Sequence, residues 1–218
     1  MYDVHINGSE QQKATDELQK SVQGQLNLTR DGTTGNITYT QVAGTALTAD
    51  ATKLKNALDD HSIVVNVNAT NNTTDMLGGA FRGNDVTTTM VDGKNMVVAN
   101  QEINPKTTST IDSFYEKPGA NTLHEVTEAF AGAKLAQASG LSTRAATQED
   151  VLNPNSVYST AHASAVDQAG PIKQAFFDSN GVRTRGLTRA TAAGEIYYIG
   201  GAGTSKPNQT KIIQQIEK

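Results

Sequence analysis

The side chains of this chain best equipped for chemistry are few, and the most useful of them sit close together. Only four histidines occur in 218 residues, His5, His61, His124 and His162, so an imidazole-based site draws on a short list. One of them opens the run His124-Glu125-Val126-Thr127-Glu128. Residues four apart on a helix lie one above the other on the same face, so His124 and Glu128 can point at one ion while Glu125 projects beside them. This is the spacing of the H-E-x-x-H zinc-binding motif with glutamate in place of the second histidine. Zinc accepts carboxylate oxygen, so the replacement is chemically allowed, and a third protein ligand would complete a site with one open position. His162 is the natural candidate. The set His124, Glu128 and His162 then holds one zinc ion through two imidazoles and one carboxylate.

In such a site the metal acidifies the water it holds, and Glu125, free of the metal, is placed to take the proton as general base. Tyr158 stands four residues before His162 and would share its helical face, where its hydroxyl could polarise a carbonyl or an oxyanion; packing is the plainer role for it. The bland alternative for the triplet His124, Glu125 and Glu128 is a solvated helix face, and for His162 a half-buried, hydrogen-bonded imidazole. His5, near a terminus, and His61, after Asp59-Asp60, have no ligand-like neighbour at useful spacing.

Composition narrows the remaining classes. There is no cysteine, which removes disulfides, thiolate nucleophiles and Cys-type metal sites together, so any metal is held by nitrogen and oxygen. Lys and Arg number 18 against 22 Asp and Glu, a net charge of -4, which argues against nucleic acid as a partner. No stretch reaches the ~20 apolar residues that cross a bilayer, and the start MYDVHINGSEQQK lacks the basic and apolar regions of a signal peptide, so no membrane insertion is expected. No G-x-S-x-G frames a serine nucleophile, and neither MLGGAFRGND nor IYYIGGAGTS matches a phosphate-binding loop.

The elements that must position these residues follow from periodicity. Ala14, Leu18 and Val22 recur every fourth residue and predict a helix over 9–22; Ala51, Leu54 and Leu58, behind Thr48 as N-cap, predict another over 47–60. LNLTRDGTTGNITYTQV reads as a hairpin, SIVVNVNA (62–69) as a strand, and 86–90 with 95–99 as a second hairpin around Asp92-Gly93. Residues 71–85 are turn-rich and read as a long loop, and Asn104-Pro105 as the start of a polar stretch. LHEVTEAFAGAKL (123–135) is the best helix, capped by Asn121 or Thr122 and closed by Gly140, with Leu123, Val126, Ala129, Phe130 and Ala133 opposite the ligands. A further helix over 156–169, strands over 182–189 and 195–199, and a polar C-terminal tail over 204–218 complete the reading.

This order of elements resembles the minimal zincin layout: an α+β fold with a mostly antiparallel sheet and an active-site helix carrying His-Glu-x-x-Glu, in a single domain over 1–203. HEVTEAFAGAK and VYSTAHASA in particular resemble the zincin-like C-terminal domains of Rhs/YD-repeat polymorphic toxin proteins of Bacteroidetes, over roughly residues 25–167. The resemblance implies a zinc-dependent, peptidase-like effector domain, secreted or delivered at the cell surface as part of a larger protein, with a protein or peptide substrate and an immunity protein as partner. It carries over His124, Glu128 and His162 as ligands and Glu125 as base. The alternative is a zincin scaffold that binds or builds without turnover.

Overall fold

Residues 4–73 and 76–217 are described by the structure, a computed structural model. In chain order the first elements are β1 (Val4–Asn7), α1 (Gln11–Ser21), β2 (Leu26–Arg30), β3 (Ile37–Gln41), α2 (Ala49–Asp59) and β4 (Ile63–Ala69). Then come β5 (Gly79–Val91), β6 (Lys94–Ile103), α3 (Pro105–Tyr115) and α4 (Ala120–Ser139). The last are α5 (Gln148–Leu152), α6 (Val157–Ser164), β7 (Ile172–Phe177), β8 (Gly194–Gly200) and β9 (Thr210–Glu217). The chain is α+β.

The central sheet has the order β1-β4-β6-β5. β4 pairs parallel with both β1 and β6, and β5 runs antiparallel on β6. The expectation of a mostly antiparallel sheet is therefore corrected where it matters, in the sheet against which α4 packs. Parallel neighbours need a long crossover, and the stretch from α1 to α2 supplies it between β1 and β4. Asp92 and Gly93 turn β5 into β6 with φ of 50° and 75°, the pair of positive angles that a two-residue hairpin demands.

One apolar core joins β1 (Val4, Ile6), α1 (Leu18), α2 (Leu54), β4 (Val65) and α4 (Leu123, Val126). Each such fully buried side chain contributes about 1.5–3 kcal/mol. Ile111 of α3, Ala169 and Ile199 of β8 form a second, smaller cluster. Thr48 caps α2 as expected, accepting from the Ala51 amide at 3.2 Å.

Four further expectations are corrected. Within the expected loop 71–85, of which Thr74 and Asp75 lie outside the described residues, β5 already begins at Gly79. The polar stretch after Asn104 is α3: the Asn104 side chain accepts from the Lys106 and Thr107 amides, and Pro105 occupies the first turn, where its missing N–H costs nothing. Residues 182–189 are not a strand; β7 is the partner that β8 takes instead. The expected tail over 204–218 contains β9, antiparallel to β8, because Ile212, Ile213 and Ile216 supply strand character that its polar residues conceal; Lys218 is outside the described residues.

α4 begins at Ala120, three residues earlier than expected, and neither Asn121 nor Thr122 caps it. The first-turn donors are met from α3: Asp112 Oδ1 accepts from the Asn121 amide at 3.1 Å and from Asn121 Nδ2 at 2.6 Å. Gly140 ends the helix in the left-handed region (φ 70°), as its position implied. Burial, with the nearby Glu17 carboxylate adding to it and the Asn121 hydrogen bonds opposing, pushes the Asp112 carboxyl up to about 7. A carboxyl unfolds to a pKa of about 3.9. Between about pH 4 and 7 the folded chain therefore keeps a proton that the unfolded chain has released, and stability falls as pH rises through that window. Asp112→Asn, which keeps the acceptor and imitates the protonated acid, is expected to widen its urea-midpoint advantage over wild type from pH 4.5 to pH 7.5. A gap that stays constant with pH would refute this role for Asp112.

Candidate metal centre

α4 is buried on every side from Asn121 to Ala129, not on one face only. The sheet strands β4, β5 and β6 lie along it, and α1, α2, α3 and α6 cover the rest. His124, Glu125 and Glu128 therefore point into protein, and each needs a partner there.

The His124 ring is held at both nitrogens. Nδ1 lies 2.6 Å from the Val166 carbonyl, so it carries a hydrogen, and in the neutral ring Nε2 is the nitrogen that offers a lone pair to a metal. Nε2 lies 3.0 Å from His162 Nδ1 and 3.4 Å from Glu128 Oε2, and His162 Nδ1 is 2.6 Å from the same carboxylate oxygen. The two rings are 4.5 Å apart at 73°. One nitrogen from each histidine and one oxygen of Glu128 thus form a small triangle. Donor atoms each about 2.0–2.2 Å from one tetrahedral zinc lie roughly 3.3–3.6 Å apart. The triangle takes one ion if it widens by less than about 1 Å.

Chemistry favours the same conclusion. Two neutral imidazoles and a carboxylate suit zinc, and a histidine ligand whose other nitrogen donates to a backbone carbonyl is the usual arrangement around it. His124 and Glu128 are each 2% exposed, whereas the His162 side chain is 40% exposed, so His162 is the member of the triangle that reaches the surface.

The loop after α6 makes this possible. Helix was expected to continue to residue 169, but α6 stops at Ser164. Lys53 Nζ takes the Ser164 and Ala165 carbonyls at 2.9 Å each, and the Val166 amide donates to Thr127 Oγ1 at 3.1 Å. The extended chain then presents the Val166 carbonyl to His124.

Burial would by itself raise the Glu128 carboxyl; the hydrogen bonds from His124 and His162 outweigh it and hold Glu128 ionised. His124 is displaced upward: burial opposes its charge, but Glu128, the Glu125 charge and the Val166 carbonyl together prevail. Glu125 moves the other way from Glu128. Its burial, then the charge of Glu128, pushes its pKa far above the carboxylate range.

Glu125 sits between α4 and the sheet, accepting a hydrogen bond from Gln101 Nε2 of β6. Gly79 of β5 lies against it, and a Cβ there would overlap its carboxylate. Tyr158 stacks on His162, ring centroids 5.6 Å apart at 27°, and meets the edge of Phe81 at 6.3 Å, so its ring packs the partly exposed imidazole in place. Burial raises the pKa of its hydroxyl, which stays protonated. His5 lies on β1 with Nδ1 3.3 Å from the Thr34 carbonyl, and His61 follows α2; neither joins the centre.

Among the described residues, His124, Glu128 and His162 are a group whose donor atoms all lie within 4.8 Å of one another and could hold a metal ion. The chain matches no known family model, no curated protein and no solved structure. No helix among the described residues is long and apolar enough to cross a membrane.

Sequence reasoning missed Gln101, Gly79, Thr127 and Val166. Only Gln101 left a trace, as an amide in the otherwise apolar alternation of MVVANQEI.

Because His124 must lose its proton to bind a metal and its pKa is raised, zinc affinity is expected to decline as pH falls, starting at a higher pH than for an ordinary histidine. Purified chain at pH 7.5 should carry one zinc by elemental analysis and release it at pH 5. Glu128→Gln should weaken binding at least ~10-fold, whereas chelation should leave the far-UV circular dichroism unchanged, since a chain of this length buries an apolar core large enough to fold without the ion. Undiminished zinc affinity in Glu128→Gln would remove this residue from the centre.

Proposed function

We propose that this chain is a zinc-dependent hydrolase of the peptidase type, with His124, Glu128 and His162 as ligands and Glu125 as general base. The observation that carries the reading is the convergence of three donor atoms from α4 and α6 on one point, with His162 the partly exposed member of the group. Zinc held there would supply a Lewis acid for a carbonyl and lower the pKa of water.

The residues of the chain account for the rest. Two carboxylates three residues apart on one helix are driven to opposite protonation behaviour by their surroundings, the usual mark of separated acid and base roles. Glu128 stays ionised and holds charge against the imidazoles. Glu125, kept basic by its dry surroundings, suits proton transfer near neutral pH. Gln101 fixes its carboxylate, and Tyr158, whose ring lies on His162, keeps a protonated hydroxyl that can act as a donor. The zincin-like fold, and delivery as a secreted or surface effector of the Rhs-associated toxin type with a cognate immunity protein, rest on the resemblance of HEVTEAFAGAK and VYSTAHASA to those domains.

One observation favours a second reading. Glu125 is 7% exposed and already hydrogen-bonded to Gln101, which suits a structural carboxyl in a metal-holding scaffold without turnover.

Glu125→Gln separates the two. Under the hydrolase reading the variant binds one zinc and melts close to wild type, yet cleaves β-casein at least ~10²-fold more slowly. Equal cleavage by both proteins would take Glu125 out of the mechanism, and no cleavage by zinc-loaded wild type would leave the scaffold.

A further inference from the structure

β5 is the edge strand of the central sheet on the side of the metal centre. Its Gly79 touches Glu125, and its Phe81 touches the tyrosine that stacks on His162. The outer edge of this strand beyond Phe81 is covered by the chain itself. Residues 142–146, between α4 and α5, run antiparallel to it. The Asn84 amide donates to the Thr143 carbonyl at 2.9 Å, the Thr143 amide returns a bond to Asn84 at 2.8 Å, and the Ala146 amide donates to the Phe81 carbonyl at 3.2 Å. The Val86 amide is met by Ser142 Oγ at 2.9 Å.

This cover is shallow. Ser142, Arg144 and Ala145 are exposed, Thr143 and Ala146 half-buried, and none of the five is buried. Main-chain hydrogen bonds, two bonds to the side chains of Ser142 and Thr143 and an exposed Arg144–Asp150 ion pair hold it in place, with no buried side chain of its own, so local opening costs far less than unfolding. Gly83, at φ 103°, has no Cβ to keep the two backbones apart; one there would overlap the Thr143 carbonyl. Beneath the strap a cavity of 330 Å³ is lined by Phe81, Thr143, Arg144, Ser156 and Tyr158, and thus runs from the strap to the ring that lies on His162.

We propose that residues 142–146 are an internal occupant of the polypeptide-binding edge, and that an extended, unfolded polypeptide is the substrate that displaces them. The proposal rests on the peptidase reading of the centre. An extended chain offers the same alternating amides and carbonyls, so strand addition to β5 replaces each lost bond in kind, while its side chains gain the cavity that the short strap leaves unfilled. The antiparallel sense sets its polarity: its N-terminal part lies at Val86 and its C-terminal part heads toward Phe81, Gly79 and Glu125.

The absence of native cysteine allows a clean lock. The Asn84 and Thr143 side chains touch, Nδ2 to Oγ1 at 3.1 Å, so Asn84→Cys with Thr143→Cys can close a disulfide between strap and strand. Fluorescein-labelled β-casein is titrated by anisotropy into zinc-free protein, where no turnover occurs. The reduced double variant, which also controls for folding, should bind as wild type does, and the oxidised form at least ~10-fold more weakly because its open state is removed. Hydrogen exchange at the Thr143 and Ala146 amides should quicken in wild type when casein is added. Equal binding by oxidised and reduced forms overturns the proposal, as does absence of casein binding by every form. With zinc restored the two ideas part: casein bound at the strap but never cleaved sinks the hydrolase and leaves the strap, and equal cleavage by locked and reduced forms does the reverse.

Discussion

A helix buried on every side cannot leave a polar side chain unpaired, and α4 carries six between Asn121 and Glu128, with its ionisable triplet among them: Asn121, Thr122, His124, Glu125, Thr127 and Glu128. An unpartnered buried amide or hydroxyl costs a few kcal/mol, and an unpaired charge more. Much of the surrounding architecture answers that demand. β6 lends Gln101 to Glu125, α6 lends His162 to Glu128, and the chain after α6 lends a carbonyl to His124 and an amide to Thr127. At its first turn the helix is met by Asp112 of α3. The centre is thus the place where separate parts of the fold settle the polarity of one helix.

The same crowding sets the electrostatics. Glu128 and Glu125 compete for the neutralising influence of two imidazoles, and geometry gives it to Glu128, which touches both rings. Glu125, with only an amide donor, bears the desolvation alone. A metal ion entering the triangle would replace shared protons with a fixed positive charge, which would favour the ionised form of each carboxylate.

What could be read from the sequence was what repeats within one element. The four-residue spacing of His124 and Glu128, the apolar run of β4, Thr48 before α2 and Asp92-Gly93 between two strand-like runs are local patterns with local causes, and the structure holds each of them. His162 was within reach because so few histidines exist to choose from. Parallel pairing of β4 with β1 and β6 was not, since the same β-branched run serves either direction and only the crossover decides. Asn104-Pro105 carried a readable helix start that its polar sequel, KTTST, concealed. Gln101, Gly79 and Val166 matter through contacts made across the fold: a strand amide, a missing Cβ and a backbone carbonyl have no signature of their own. β9 was lost to its lysine and glutamines, whose polarity hides a strand that only pairing with β8 makes necessary.

The carbonyl of Val166 and the ring of His162 belong to one short stretch of chain, and both address His124. The four-residue step from His162 to Val166 therefore acts as a ruler between the second imidazole of the triangle and the clamp on the first. Insertion or deletion of one residue there would swing one group away from α4 whatever its identity, whereas a change of length in the connection before α6 would leave that step intact. Descendants of such a sequence would be expected to keep that interval constant and to vary the longer one, so that the count of residues between histidine and clamp, rather than the residues themselves, would mark the site.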